Sequence, residues 1–318
     1  MKIVVLDGRT TNPGDNPWDS VAKLGDLTVY DKTENDQILE RSAGADIILT
    51  NKTPLTAETL RQLPDLKMIS VLATGFNVID TEVARELNIS VCNVPEYSTF
   101  SVAQHVFALL LEMCLHLGDH DQAVHAGQWA TSPDFTFHLQ PLIELEGKTL
   151  GIFGYGKIGE RVAKIADAFG MKILATTRSP KPLPNYAGFE FVSLEELLER
   201  SDVITLHCPQ TPETTGLVNA EFLSKMKSSA MLINCARGGC IVDEDLTNAL
   251  NADEISAAAI DVATVEPMPA DSVLLKAKNL IITPHIAWAP QAARKRLMQT
   301  TTDNIAQFIA GTPQNLVN

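Results

Sequence analysis

Along residues 2–94, short apolar runs alternate with stretches whose apolar positions recur every three or four residues. The runs at 3–6, 27–30, 46–50, 68–73 and 89–94 predict buried strands, and the stretches near 18–24, 36–43, 57–63 and 81–87 predict the helices between them. Such alternation implies a parallel sheet with helices on both faces. A longer apolar helical pattern, 100–117, then leaves this unit. The segment 118–146, rich in His, Pro and aromatics, has no clear period, and so long an irregular stretch in a compact domain usually has a task. Trp129, Phe135 and Phe137 favour burial against another subunit, with a disordered loop as the alternative. A second alternating unit follows over 148–286, with strands at 150–153, 172–176, 203–207, 230–235, 258–262 and 280–283 and helices near 194–199, 220–225 and 244–250. A last helix, 290–309, follows Trp288.

The second unit opens on TLGIFGYGKIG, residues 149–159, in which a buried strand stops at Gly154 and restarts as a helix with Ile158, Val162, Ile165 and Ala166 on one face. Gly154-x-Gly156-x-x-Gly159 is thus a dinucleotide fingerprint in the strand–turn–helix setting it requires. Gly154 permits the tight turn, Gly156 lets the backbone approach a pyrophosphate, and Gly159 lets helix and strand pack closely. The helix N-terminus offers N–H groups and a positive dipole end to the phosphates. A turn that uses its glycines for packing alone is the competing reading. Residues 151–157 also mimic a phosphate loop, but Ile158 stands where that loop needs a magnesium-binding Ser or Thr, which rejects an ATPase.

Composition narrows the partners. A chain of 318 residues suits two domains, and 45% hydrophobic with 20% charged residues is a globular balance. A net charge of -14 argues against nucleic acid or another polyanion. The apolar run 3–6 is too short for a signal-peptide core, and no run approaches the ~20 residues of a membrane span. Five cysteines without a C-x-x-C pair suggest reduced thiols and a cytoplasmic location, so the sequons at Asn51 and Asn88 are chance matches. No metal site is expected.

Three polar signals sit just past predicted strands of the second unit: Arg237 before Gly238-Gly239, Glu266 before Pro267, and His285 after Pro284. Each could be structural, with Arg237 capping a carbonyl, Glu266 solvated, and His285 a satisfied buried histidine. Their place at one sheet edge, beside a dinucleotide turn, favours a shared site. The chemistry they fit is reversible hydride transfer to a 2-keto acid. Arg237 would hold the substrate carboxylate and keto oxygen with its donor fork. His285 would give a proton to the oxygen as hydride reaches carbon 2, and take it back in reverse. Glu266, ionised, would orient the ring and favour imidazolium. In the first unit, the Gly-rich turn 74–77 lies just past a strand end, where ligands bind in open α/β sheets, although an ordinary loop reads equally well.

The turn GYGKIG, the segment NCARGG with Arg237, DVATVEP with Glu266 and PHIAW with His285 together resemble the D-isomer-specific 2-hydroxyacid dehydrogenases, in order and spacing, over nearly the whole chain. The resemblance implies an α/β fold of two Rossmann-like, doubly wound parallel-sheet domains with a cleft between them. It implies a discontinuous substrate domain, 1–99 plus 290–318, because the last helix returns to the first unit. The dinucleotide domain would be 100–289, with the helix and arm of 100–147 crossing to a dimer partner. Arg237, Glu266 and His285 would be the catalytic set, and Thr74 and Gly75 would join Arg237 in binding substrate. Cofactor contacts would come from Thr74, Gly154, Gly156, Lys157, Ile158, Gly159, Cys208, Pro209, Cys235, Ala236, Asp261 and His285.

Within the family, the opening LDGRTTNPGDNPW, the run PLIELEGKTLGIFGYG and PHIAW resemble the glycerate dehydrogenase, or hydroxypyruvate reductase, branch. The expected substrate is hydroxypyruvate or glyoxylate; another 2-hydroxy acid, such as D-lactate or 3-phosphoglycerate, is the alternative. The C-terminal-binding-protein corepressors, dinucleotide-responsive binding proteins, resemble the same fold and keep the triad, which leaves a non-enzymatic class open. NAD-specific members usually place Asp after the strand that follows the fingerprint, to accept from the ribose. Here Thr177-Arg178 stands there, so either NAD or NADP fits, and the missing carboxylate with the nearby arginine points to NADP use.

Overall fold

A computed structural model describes residues 1–179 and 181–318, which divide into two compact units, Met1–Ser98 with Trp288–Asn318 and Thr99–Ala287. The first is built on β1 (Lys2–Val5), β2 (Asp26–Val29), β3 (Ile47–Thr50), β4 (Met68–Val71) and β5 (Ser90–Cys92), in the order β2-β1-β3-β4-β5 and parallel throughout. The pleat sends alternate residues to opposite faces. Val4, Ile48, Ile69 and Val91 join one core with Leu60, Val83 and Ala84. Ile3, Val5, Ile47, Leu49 and Met68 join the other, with Ala293, Leu297, Met298 and Ile305 of the last helix, Gln291–Ile309. That helix is tied down by Arg294, which pairs with Asp15 and donates from Nε to Ala289 O at 2.8 Å.

The second unit carries β6 (Thr149–Phe153), β7 (Lys172–Thr176), β8 (Phe189–Phe191), β9 (Val203–Leu206), β10 (Met231–Asn234), β11 (Ala257–Ile260) and β12 (Leu280–Ile282). Their order is β12-β11-β10-β9-β6-β7-β8, again all parallel. One face packs Leu150, Ile152, Val203 and Ile233 against helices Thr99–Leu115 and Lys157–Ala168; the other packs Ile204, Leu206, Leu232 and Ile260 against helices Leu194–Arg200, Ala220–Ser224 and Asp243–Asn251. The chain winds outward through β7 and β8, then returns to the other side of β6, so winding reverses between β6 and β9. In open α/β sheets a ligand crevice lies at such a reversal, past the strand ends.

The α/β class and the parallel sheets agree with the sequence pattern, and three local features differ from it. Residues 118–146 are not irregular throughout, because Leu117–His125 is a helix. Ala123 is its one buried residue, so no apolar stripe marked it. The edge strand β8 and the short 3₁₀ turns Gly238–Cys240 and Val273–Lys276 also escape the pattern, being three or four residues long. The apolar face of Thr99–Leu115 is covered by its own unit, with Val106, Phe107, Leu110 and Cys114 buried in the core that holds β6. Among the described residues no single helix is long and apolar enough to cross a membrane.

Candidate active site

The fingerprint turn lies at the reversal between β6 and β9. Gly154 has φ +98, a left-handed conformation that a side chain disfavours, and a Cβ there would sit 2.8 Å from His207 O, on the chain leaving β9. A Cβ on Gly159 would sit 2.5 Å from Gly154 O. Both positions need glycine because backbone packs on backbone. Gly156 differs: its backbone is extended, and a Cβ would meet nothing within 4 Å. It precedes helix Lys157–Ala168, where no side chain caps the first turn, and Gly156 and Lys157 are exposed while Ile158 is half-buried. The chain itself gives no reason for glycine at 156; an approaching anion does. These residues therefore fit a dinucleotide pyrophosphate.

Past β7, the Thr177 hydroxyl donates to Ser179 O at 2.9 Å, and Arg178 is exposed. The Cys208 thiol, buried just past β9, is pushed up by its hydrogen bond with Cys240 and by burial, against a downward pull from the Arg178 charge. Hydrogen bonding from Thr211 holds Glu213 below its usual range, with Arg178 adding to the effect. Cys208 and Cys240 lie 4.0 Å apart, Sγ to Sγ, and Pro209 is exposed.

Arg237 follows β10, and its loop is shaped by Asn234, fully buried, which accepts the Ala236 N–H at 2.9 Å and donates to Arg237 O at 2.9 Å. Arg237 Nη1 also donates to Ala236 O at 2.7 Å, which leaves a half-buried guanidinium with its remaining donors. A Cβ on Gly238 would fall 2.0 Å from Ala263 O, so glycine is what lets the Arg237 loop lie against the loop that carries Glu266. Ala236 is buried and Cys235 half-buried beside it.

Glu266 and His285 are brought together. His285 Nδ1 lies 2.8 Å from Glu266 Oε2, with side chains 28% and 32% exposed, while Oε1 accepts the Ala263 N–H at 3.1 Å. The carboxylate is thereby fixed at one oxygen and faces the ring with the other. Since Nδ1 is engaged, Nε2 is the nitrogen left to meet a substrate. His285 has φ +54, uncommon for a residue with a side chain and a frequent mark of functional sites.

Asp261, past β11, is 1% exposed. Its Oδ1 accepts the Thr283 hydroxyl at 2.6 Å and the Ile286 N–H at 2.9 Å, and its Oδ2 accepts the Ala287 N–H at 2.8 Å. Burial pushes its pKa up, but hydrogen bonds from His105, Thr283, Ala287 and Ile286 outweigh that and hold it below 3.8. Asp261 therefore braces the segment that bears His285. Sequence reasoning passed over Thr283 and His105; the available signals were a threonine two residues before His285 and a lone histidine in a buried apolar helix. In the first unit, Thr74 is exposed past β4, donates its hydroxyl to Val94 O at 2.8 Å, and its carbonyl accepts from Asn93 at 2.7 Å; Gly75 is half-buried beside it.

Residues 107–287 match the family described as D-isomer specific 2-hydroxyacid dehydrogenase, NAD binding domain. Over 321 aligned residues, covering 100% of both chains, the protein is 49% identical to a hydroxypyruvate reductase of Blautia hydrogenotrophica. It is 42% identical to a glycerate dehydrogenase of Methylorubrum extorquens, over 89% of this chain and 88% of that one. A solved structure of a Thermus thermophilus protein superposes with a TM-score of 0.88 at 34% identity, covering 100% of both chains. The protein belongs to the D-isomer-specific 2-hydroxyacid dehydrogenases, enzymes that oxidise and reduce at the CH–OH group of 2-hydroxy acids and carry an NAD-binding domain.

Proposed function

We propose that this enzyme reduces hydroxypyruvate, with glyoxylate as the related smaller substrate, to the D-2-hydroxy acid, with His285 as proton carrier. The observation that carries the reading is the 2.8 Å pair of His285 Nδ1 and Glu266 Oε2, set beside the Arg237 loop in the unit that bears the dinucleotide turn. A bound nicotinamide cofactor supplies the hydride. Glu266 accepts the Nδ1–H and holds the ring so that Nε2 carries the mobile proton. As carbon 2 is reduced, Nε2 gives that proton to the former keto oxygen, and the ring is left neutral, still donating from Nδ1. Arg237 binds the substrate carboxylate and the oxygen that gains charge. The Thr74 hydroxyl is engaged by Val94 O, so the reading assigns the substrate carboxylate to main-chain N–H groups of Thr74 and Gly75. Two relatives named for hydroxypyruvate and glycerate, aligned over most or all of the chain, support this substrate class.

Lys157 and Ile158 past β6, Cys208 and Pro209 past β9, and Cys235 and Ala236 past β10 are assigned to the cofactor. Asp261 is assigned there through the segment it braces rather than through its own occupied oxygens. The absence of a carboxylate at 177 and 178, and the exposed Arg178 cation there, support use of NADPH at least as readily as NADH. Purified protein mixed with NADH or NADPH and a panel of keto acids tests all of this. Loss of absorbance at 340 nm is expected with hydroxypyruvate, fastest or equal with NADPH; no loss with any keto acid contradicts the enzyme reading. We also infer a homodimer whose contact includes the segment after the Thr99–Leu115 helix, where Leu117, Trp129, Phe135 and Leu142 are exposed.

A further inference from the structure

The His285 segment needs an external brace. Its backbone enters the left-handed region at His285, φ +54, and a side chain there holds only if its surroundings insist. Asp261 supplies three hydrogen bonds that straddle the histidine, one from Thr283 before it and two from Ile286 and Ala287 after it. A fourth group completes the arrangement. His105, on helix Thr99–Leu115 and largely buried, has Nε2 at 3.0 Å from Thr283 Oγ1 and 3.4 Å from Asp261 Oδ1.

The protons in this cluster can be assigned by counting. A threonine hydroxyl has one hydrogen, and here it goes to Asp261 at 2.6 Å. Toward His105 the same oxygen can only accept. His105 must therefore carry its proton on Nε2, aimed at Thr283 Oγ1 with Asp261 Oδ1 close by. A chain runs from His105 Nε2–H to the Thr283 hydroxyl to the Asp261 carboxylate. It sets the rotamer of Thr283, keeps its hydrogen on Asp261, and links the helix to the segment that presents His285.

We propose that His105 is a positioning residue for the reaction, acting on His285 through Thr283 and Asp261 without touching substrate. The inference rests on His285 being the proton carrier, and it names a fourth residue on which that role depends. The competing account is a buried histidine that merely satisfies its own hydrogen bond and contributes only to stability.

Steady-state reduction of hydroxypyruvate by the full-length enzyme separates the two, run on His105→Gln, His105→Phe and Thr283→Val. Glutamine can place an amide N–H near the position of Nε2, whereas phenylalanine keeps the bulk and removes the donor. The expected result is a kcat about tenfold lower for His105→Phe, the scale of one lost hydrogen bond. For His105→Gln, kcat should stay within about threefold of wild type, a rescue that only the donor explains. Cofactor affinity by fluorescence titration should be unchanged across the set, and each variant, whose melting midpoint can fall with the lost buried hydrogen bond, is assayed well below that midpoint. Thr283→Val should fall by a similar factor, and the double variant His105→Phe/Thr283→Val should be no worse than the poorer single, as two members of one chain require. Wild-type kcat in His105→Phe, or in Thr283→Val if His105→Phe does not fold, overturns the proposal. So does equal impairment of His105→Gln and His105→Phe, or a kcat for His105→Phe that returns to the wild-type value when the assay is run well below its melting midpoint. His285→Ala is the control: near-normal turnover there defeats the His285 reading itself, while an inactive His285→Ala beside a normal His105→Phe defeats only the positioning.

Discussion

The proposed proton transfer depends on a few oriented atoms. His285 offers Nε2 because Nδ1 is held 2.8 Å from Glu266, and Glu266 is itself tethered by the Ala263 N–H at 3.1 Å. Removing the imidazole should lower turnover by ~10²–10⁴-fold while cofactor still binds, as judged by single-turnover kinetics and fluorescence titration. Glu266→Gln leaves a side chain of the same shape without the charge, and kcat for hydroxypyruvate should drop ~10²-fold or more with cofactor affinity retained. A variant as fast as wild type would detach Glu266 from the mechanism. The proposed three could be singled out from sequence because each stands just past a strand and the motifs around them are specific, and the fold pairs two of them, Glu266 and His285. The Asp261–Thr283–His105 chain could not, since its members lie 22 residues or more apart and only the fold brings them within 3.4 Å.

Among the elements, the β6 turn and the 283–287 segment carry separate predictions. Gly154→Ala forces a side chain into a φ of +98 with the backbone of His207 2.8 Å away, so it should lower the melting midpoint together with activity. Gly156→Ala meets nothing within 4 Å, so it should fold with an unchanged midpoint and bind cofactor at least about tenfold more weakly. If Gly156→Ala binds cofactor normally, the phosphates lie elsewhere. For the segment braced by Asp261, the sign is set by a folded pKa lowered below 3.8. The stabilisation is fully present above pH 3.8 and is lost as pH falls through the folded value. The stability gap between wild type and Asp261→Asn, from urea unfolding, should therefore be constant near neutrality and shrink in acid. Strands such as β6 and β10 were legible because they are buried on both faces and read as unbroken apolar runs. β8 was not: three residues at a sheet edge, held by Phe189 and Phe191 around Tyr155 at 5.1 and 5.3 Å, make no run of their own. Helix Leu117–His125 was hidden for the opposite reason, since almost none of it is buried in one chain.

For the whole molecule, the segment that sequence reading marked for a partner divides into two parts with different burial. Helix Thr99–Leu115 satisfies its apolar face within its own unit, whereas Trp129 is 54% and Phe135 89% exposed beyond it. Trp129 Nε1 nevertheless donates to the main-chain Phe135 O at 3.0 Å, so the indole is tied to the backbone of the same arm. A second copy is the proposed cover, and light scattering at micromolar concentration should give twice the 34.6 kDa chain mass. Trp129→Asp with Phe135→Asp should shift that mass toward the monomer; a monomeric wild type refutes the assembly. The sheets were legible from patterns repeated along the chain and the family from four specific motifs in order, while the exposed arm depends on a surface that one chain does not complete.

The measurement that bears most directly on the account is the absorbance at 340 nm when purified enzyme, wild type and His285→Ala, is mixed with NADPH and hydroxypyruvate, with NADH in parallel. The account predicts a steady decrease for wild type, at least as fast with NADPH, and a rate ~10²–10⁴-fold lower for His285→Ala with cofactor affinity intact. No decrease in the wild type, or equal rates for the two proteins, would contradict it.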